Sequence, residues 1–584
     1  MSMSIKGMYY FSFMMLLFGT IVTYLYLYMV DVSPLPILVL IIGVGLQSVS
    51  FLMFTYKTRT SGDKLSLCYY IFFILVLSMS VVFMKNARFQ VWGTDILREK
   101  QVAENTFSKQ YWNTTLIMSS NYASSLEVTI FPAILAELTG LSIDAIFDTI
   151  MVGIVAIIPV FLFLIVLSIT NNRVVAFLSS SLFAQNYFFF ASYPNLIKQS
   201  FAIVFMLLSL YCFFCARGIR KKYVLLGMFF SFGVIISHYT ISLLFGYILL
   251  FYLLFMFFYN KIQNHKFRTP TLSCVIVVMY FAMTLCWQIY IIYPTFDKEV
   301  EYYVKPVMFT LQSLTFGIES PETQYSFNPP SYRNWTVTAW FDLQNMLIGL
   351  SALLAFITLL RGRMKEREDE WTIMGLTALA LVIIWVVLPG FSASLYPDRI
   401  LGFALVFSTY FLASFLLKIM KNGKYRVQIL VAIFLLSALP MNLMLPSHDV
   451  DPLYHPIDSF ISERILELRS IGYPTVADKS IVIWENKFIR TDKSIYVDIY
   501  GAYFFNFLGP FPSKLKVIYS SYPYLQPDSF MVLHIFYIND NLWAQYNYSK
   551  RFFYTDVKVF LFLQFPNNII YDSGENKQVF NLPS

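Results

Sequence analysis

The chain has 584 residues, of which 58% are apolar, 19% aromatic and only 13% charged, with a formal net charge of +8. So apolar a composition excludes an assembly of ordinary soluble domains, which carry more charge on their surfaces. The positive balance is not a nucleic-acid footprint either, since no soluble segment shows a basic face with interleaved aromatics, and no nucleic-acid partner is expected.

A helix needs about 20 apolar residues to cross a hydrocarbon core roughly 30 Å thick. Runs of that kind lie at 8–30, 34–56, 65–84, 145–169, 174–190, 198–216, 223–236, 239–259, 271–293, 344–360, 371–389, 399–417 and 428–445. They predict a polytopic α-helical membrane protein with about thirteen spans, give or take one or two short runs. The runs are continuous, whereas the strands of a membrane barrel would alternate over about ten residues. The first run is too long for a cleaved signal peptide, and no small-residue cleavage site follows it.

Lys and Arg in short loops orient the helices. Alternate loops are basic, from Lys57, Arg59 and Lys64 through Arg173, Lys221 and Lys222, Lys261 and Arg268, Arg361 and Arg363 to Lys418 and Lys421. This puts those loops and the N-terminus in the cytoplasm of a multi-pass cell-membrane protein. The loops 85–144 and 294–342, the short turns near Tyr193, His238 and Asp398, and the tail 446–584 then lie outside. The sequons at Asn113, Asn334 and Asn547 fall on the same outer side. All five cysteines, Cys68, Cys212, Cys215, Cys274 and Cys286, lie in predicted spans. The Cys212-x-x-Cys215 pair has no His or Cys neighbour in sequence and reads as helix packing.

Three parts are expected: two additional N-terminal spans in 1–64, a main membrane module in 65–445, and a mixed α/β extracytoplasmic domain in 446–584. That last domain opens with an amphipathic helix around 457–470, ended by Gly472. Short β-like runs follow at 480–484, 493–500, 516–519, 530–538, 557–564 and 579–582, with turn clusters at 565–568 and 572–576.

The chemistry-bearing residues gather in the outer segments. Gly93-Thr94-Asp95-Ile96-Leu97-Arg98-Glu99-Lys100 sits in the first large outer loop. On a helix over 94–107, Asp95 and Glu99 share a face, with Arg98 beside them. The apolar Ile96, Leu97, Val102, Ala103 and Phe107 suit a helix lying along the membrane surface. An acid there can serve as general base or as ligand to a divalent cation, so Mg²⁺ or Mn²⁺ with Asp95 as ligand stays open. The plainer reading is that Asp95 complements a helix dipole.

Lys198 and Gln199, His238, and Asp398 with Arg399 occupy the same membrane level. Each has its own plainer reading: Lys198 and Arg399 as cations reaching lipid headgroups, His238 as a satisfied interfacial histidine, Asp398 as a helix cap. Together, two cations and a histidine beside an acid are what a phosphate-linked lipid substrate requires. Asp449-Val450-Asp451 has metal-type spacing but follows the last span directly and reads as a linker.

These motifs resemble those of the GT-C superfamily of integral membrane glycosyltransferases, in which the first large outer loop carries an essential acid. More narrowly, Gly93 to Glu99, Ser237-His238-Tyr239-Thr240, Tyr396-Pro397-Asp398-Arg399-Ile400-Leu401, Tyr496-Val497-Asp498-Ile499-Tyr500-Gly501 and Asn568-Ile569-Ile570-Tyr571-Asp572-Ser573-Gly574 resemble an uncharacterised family of archaeal multi-spanning membrane proteins. The resemblance implies a polyprenyl-phosphate sugar donor and a protein, glycan or lipid acceptor. By position, Asp95 matches that first-loop acid. The mechanism expected here has Asp95 and Glu99 as the catalytic carboxylates, Asp95 as general base on an acceptor hydroxyl, with Lys198, His238 and Arg399 holding the donor phosphate. Arg98, Gln199 and Asp398 are supporting residues. Two departures stand out. The paired acids of protein-mannosyltransferase-like members are absent. The Trp-Trp-Asp core of oligosaccharyltransferases is missing from the tail, which argues against en bloc transfer of a glycan to Asn.

Two other function classes share these features. A lipid-linked-glycan transporter also places ionisable residues in the membrane, but it is expected to show inverted repeats and broken helices at the midplane. A non-catalytic cell-envelope assembly protein would use the outer loops and tail to bind partners.

Overall fold

The computed structural model describes residues 5–29, 46, 50, 67–86, 94–112, 124–186, 189, 193, 197–216, 221–262, 272–290, 335–361, 366–387 and 397–422, together with seven strands in the tail. The expected spans at 34–56, apart from residues 46 and 50, and at 428–445, the helix at 457–470, the strands at 480–484 and 557–564, and the sequons and the 449–451 motif lie outside those residues. The chain divides into two units, Met1–Val91 with Val102–Leu443, and Trp92–Gln101 with Met444–Ser584.

The first unit is helical. Its elements are α1 (Ile5–Met29), α2 (Leu67–Asn86), α4 (Leu126–Thr139), α5 (Ile143–Ile146), α6 (Val152–Val155), α7 (Ile158–Thr170), α8 (Arg173–Ala184), α9 (Ile197–Ala216), α10 (Lys221–Ser237), α11 (Tyr239–Ile262), α12 (Cys274–Tyr290), α13 (Trp335–Leu360), α14 (Glu366–Val387) and α15 (Pro397–Asn422). α3 (Thr94–Lys109) runs across the division between the units. Among the described residues, three segments are long and apolar enough to cross a bilayer: Ile143–Thr170, Ile197–Phe214 and Tyr239–Ile262. Many helix side chains that face outward are Leu, Phe and Met, such as Leu225, Phe229 and Met279, as lipid contact requires. This is a membrane protein.

The span expected as one helix at 145–169 is broken. A wide π turn at Phe147–Met151 separates α5 from α6, and the backbone tightens again before Pro159. There Val160 N–H bonds the Ile157 carbonyl at 2.9 Å, so the Ala156 carbonyl loses its helical donor. Ser78 Oγ of α2 donates to that carbonyl instead, at 2.5 Å, as bilayer-depth backbone groups demand. Asn171, at φ +50°, closes α7, and the Asn172 side chain accepts from Val174 and Val175 N–H to start α8, which turns the chain back sharply.

α9 and α10 form a close antiparallel hairpin. Ser209 and Ser231 hydroxyls meet at 2.7 Å, and Phe213 and Phe205 lie flat on Gly227 and Gly233. The tight approach uses small residues, as membrane helix pairs commonly do.

α14 begins five residues before the apolar run expected at 371–389, at Glu366. The extra turn buries Asp369 and Glu370. Tyr259 and Tyr252, seven apart on one face of α11, donate to Asp369 Oδ2 at 3.1 Å and Glu370 Oε2 at 2.9 Å. Arg367 Nη1 donates to the Ser168 carbonyl at 3.0 Å. Hydropathy placed these charges in a loop, but hydrogen bonds from neighbouring helices hold them inside.

A further helix, α4, lies within the segment 85–144, where no span was expected. Gly140 at φ +71° caps it, donating to the Ala136 carbonyl at 2.9 Å. Its Ile134 and Leu138 are exposed.

The second unit has strands β1 (Ile495–Val497), β2 (Leu515–Val517), β3 (Phe530–Leu533), β4 (Leu542–Tyr546), β5 (Phe552–Asp556), β6 (Ile569–Asp572) and β7 (Gln578–Asn581). Five form a mixed sheet in the order β2-β1-β3-β7-β6, parallel at β2-β1-β3 and antiparallel at β3-β7-β6. β4 and β5 pair separately. The cluster expected to turn, 572–576, begins on the last residue of β6 and precedes β7, and the two strands pair antiparallel.

Candidate functional site

Four helices of the first unit begin at one corner. α9 starts at Ile197 and carries Lys198 and Gln199 in its first turn, both buried, with Lys198 only 5% exposed. The register of the α9–α10 hairpin sets this turn level with Ser237 and His238. α11 starts directly after His238. Ser125, the residue preceding α4, donates its hydroxyl to the Ser237 carbonyl at 2.9 Å, and Phe131 of α4 meets Phe201 of α9 edge-on at 6.0 Å. Tyr193 donates to the Gly402 carbonyl at 2.9 Å, and Ser200 Oγ donates to the Tyr193 carbonyl at 2.7 Å. The Gly402 bond sets the first turns of α15 beside Tyr193, and its opening residues are Pro397, Asp398 and Arg399. Proline at the first helical position with an acid next to it is a favoured way to open a helix.

His238 is 2% exposed. Its Nδ1 accepts from Ile241 N–H at 3.3 Å, so the ring caps α11, and it stacks on Tyr239 at 5.1 Å. An accepting Nδ1 carries no proton, which places the proton of the neutral ring on Nε2. In that tautomer the ring can offer its Nε2–H as a donor. Burial pushes the Tyr193 phenol up, so that hydroxyl stays neutral and donates. The burial of Lys198 also removes the reading of this side chain as one reaching lipid headgroups.

The structure thus brings together Lys198, Gln199, His238 and the helix turn bearing Asp398 and Arg399. Asp95, Arg98 and Glu99 belong to the second unit. α3 is helical over them, as expected, so Asp95 and Glu99 stand four apart on one face. Ile96, Glu99, Lys100 and Ala103 form its buried side, with Glu99 0% exposed. Further along α3, partial burial and then the Asp144 carboxylate raise the Glu104 pKa. Among the described residues, no group of three or more His, Cys, Asp or Glu is placed to hold a metal ion.

Two residues at the corner were not singled out from the sequence. Glu127, buried two residues after Ser125, sits in the first turn of α4. Its signal was there to read: two serines and an acid opening an apolar run mark a capped helix start. Gln288 of α12 is 7% exposed. An amide inside an otherwise apolar run was the available signal.

No protein-family model matches this sequence, nor does any curated protein. Among solved structures, the fold is similar to the oligosaccharyltransferase of Archaeoglobus fulgidus in the apo form, at 10% identity and TM-score 0.48, covering 85% of this chain and 75% of that one. It is also similar to the archaeal oligosaccharyltransferase AglB from Archaeoglobus fulgidus in complex with an inhibitory peptide and a dolichol-phosphate, at 11% identity and TM-score 0.45, covering 84% and 74%.

Proposed function

We propose that the chain is a multi-pass membrane glycosyltransferase that takes a sugar from a polyprenyl-phosphate donor on the extracytoplasmic side. One observation carries this reading: a buried lysine and a buried histidine share a corner with the N-termini of α4, α9, α11 and α15. Helix N-termini present unpaired N–H groups and a partial positive charge, so their gathering favours an anion. Adding a cation that water does not screen makes phosphate the fitting charge and shape.

Lys198 neutralises the phosphate, His238 Nε2–H donates to it, and Arg399 binds it from the start of α15. Gln199 and Asp398 support the two cations. Asp95 takes the proton from an acceptor hydroxyl on a protein, glycan or lipid. That oxygen attacks the anomeric carbon, the bond to the phosphate oxygen breaks, and the sugar inverts. The phosphate leaves as an anion held at the corner. Glu99 and Arg98 position Asp95 or the acceptor. The reading keeps the three-part division at 1–64, 65–445 and 446–584, with the N-terminus cytoplasmic and the tail outside.

The test is sugar transfer by purified protein from a radiolabelled polyprenyl-phosphate sugar panel, wild type beside Asp95→Asn. Transfer lost in the variant while donor binding persists supports the assignment. Full activity in Asp95→Asn ends Asp95's role as base.

A further inference from the structure

α12 carries a polar face in an otherwise apolar helix. Tyr280, Thr284 and Gln288 recur at every fourth position and are all buried, so they lie on one side. The first two have hydrogen-bond partners on α11 or on α12 itself. Tyr280 donates to the Ser242 carbonyl at 2.8 Å, and its hydroxyl lies 3.1 Å from Ser242 Oγ. Thr284 Oγ1 lies 3.5 Å from the same Ser242 Oγ and donates to the Tyr280 carbonyl at 2.9 Å. Gln288 differs: among the described residues its Nε2 is buried and has no hydrogen-bond partner.

The two helices run antiparallel. Ser242 faces Thr284, while Gly246, one turn further along α11, packs on Tyr280 and Phe281. One turn the other way, α12 reaches Gln288 just as α11 reaches back to His238. Trp287 meets Phe232 of α10 edge-on at 5.9 Å, which ties this end of α12 to the helix that ends at Ser237. The buried amide therefore stands at the level of the His238 corner. A donor kept dry and unpartnered is unfavourable unless a ligand oxygen completes it.

We propose that Gln288 is a further ligand-binding residue: its amide donates a hydrogen bond to a phosphate oxygen of a lipid headgroup held at the His238 corner. The inference rests on the phosphate-binding reading of that corner. Two lipids share the chemistry, the polyprenyl-phosphate substrate and an ordinary anionic phospholipid, and the test separates them.

Binding of a polyprenyl phosphate, of the matching neutral polyprenol, and of phosphatidylglycerol is measured by native mass spectrometry on the full chain, with thermal melting alongside. The variants are Gln288→Met, of similar shape without a donor, and Gln288→Glu, which sets a carboxylate against the phosphate. The expected result is polyprenyl-phosphate binding about tenfold weaker in Gln288→Met and weaker again in Gln288→Glu. Polyprenol binding is unchanged, and the melting temperature of Gln288→Met is equal to or above that of wild type. A purely structural glutamine would instead melt lower as Met. The same losses for phosphatidylglycerol, with no polyprenyl-phosphate binding by wild type, keep the Gln288 site and overturn the sugar-donor reading. Wild-type polyprenyl-phosphate affinity in both variants overturns the inference and leaves the corner's reading standing. Wild type binding neither phospholipid nor polyprenyl phosphate overturns both.

Discussion

His238 joins two roles in one ring, and they can be separated. Its Nδ1 caps α11, and its Nε2 carries the proton proposed to meet phosphate. His238→Asn retains a cap-competent side chain, so stability should change little, while His238→Ala should lose about 0.5–2 kcal/mol of cap energy. Both should weaken phosphate binding, which equilibrium binding beside thermal melting would reveal. Glu104 offers a pH test outside the helices that span. Its pKa is raised in the fold, so the folded protein binds that proton more tightly than the unfolded chain. This contribution is present below the ordinary glutamate pKa and is lost as pH rises through the raised value. Glu104→Gln should therefore melt above wild type at neutral pH, with the difference closing in acid. His238, Asp398 and Arg399 could be picked out in the sequence because polar residues stand out beside apolar runs. The burial of Lys198 could not, because hydropathy does not tell a lysine facing lipid from one facing other helices. Gln288 escaped for a related reason: what makes it unusual is an absent partner, which only the packed structure reveals.

Helix positions were legible because bilayer length demands long apolar runs, and α9, α10 and α11 begin and end within a few residues of expectation. What escaped was set by other helices. The break before Pro159 depends on Ser78, and the early start of α14 depends on Tyr252 and Tyr259. Tyr252→Phe removes a donor from the buried Glu370 and should cost about 1–3 kcal/mol, read as a lower melting temperature in detergent. The α9–α10 hairpin should be equally sensitive. A methyl group on Gly233 would lie 2.7 Å from Phe205 Cγ, at the root of the ring, where a small swing cannot clear it. Gly233→Ala should destabilise by about 1–3 kcal/mol, whereas Gly153→Ala, with nothing within 4 Å, should be neutral in the same assay. In the tail, β1, β2, β3 and β7 fall within or beside expected runs. β5 ends directly before the expected run 557–564, whereas β4 and β6 were missed; Leu542–Tyr546 lacks a clean apolar-polar alternation and is defined by its pairing with β5.

At the scale of the whole molecule, composition was enough to mark a helical membrane protein, and the structure adds where its polar groups collect. One cluster, Asp369 and Glu370 with Tyr252 and Tyr259, joins α11 to α14 through two hydrogen bonds between side chains. The other, around Lys198 and His238, gathers helix N-termini, a lysine and a histidine beside the buried Glu127 carboxylate, and is the one proposed to receive an anion from outside the chain. The account stands or falls on that difference, and the most direct measurement is equilibrium binding of a polyprenyl-phosphate sugar to the purified full chain in nanodiscs, wild type beside Lys198→Met and Tyr252→Phe. Lys198→Met should lose at least tenfold in affinity, as removal of a buried charge-assisted contact should, while Tyr252→Phe binds as wild type despite its lower melting temperature. Equal affinity in wild type and Lys198→Met would contradict it.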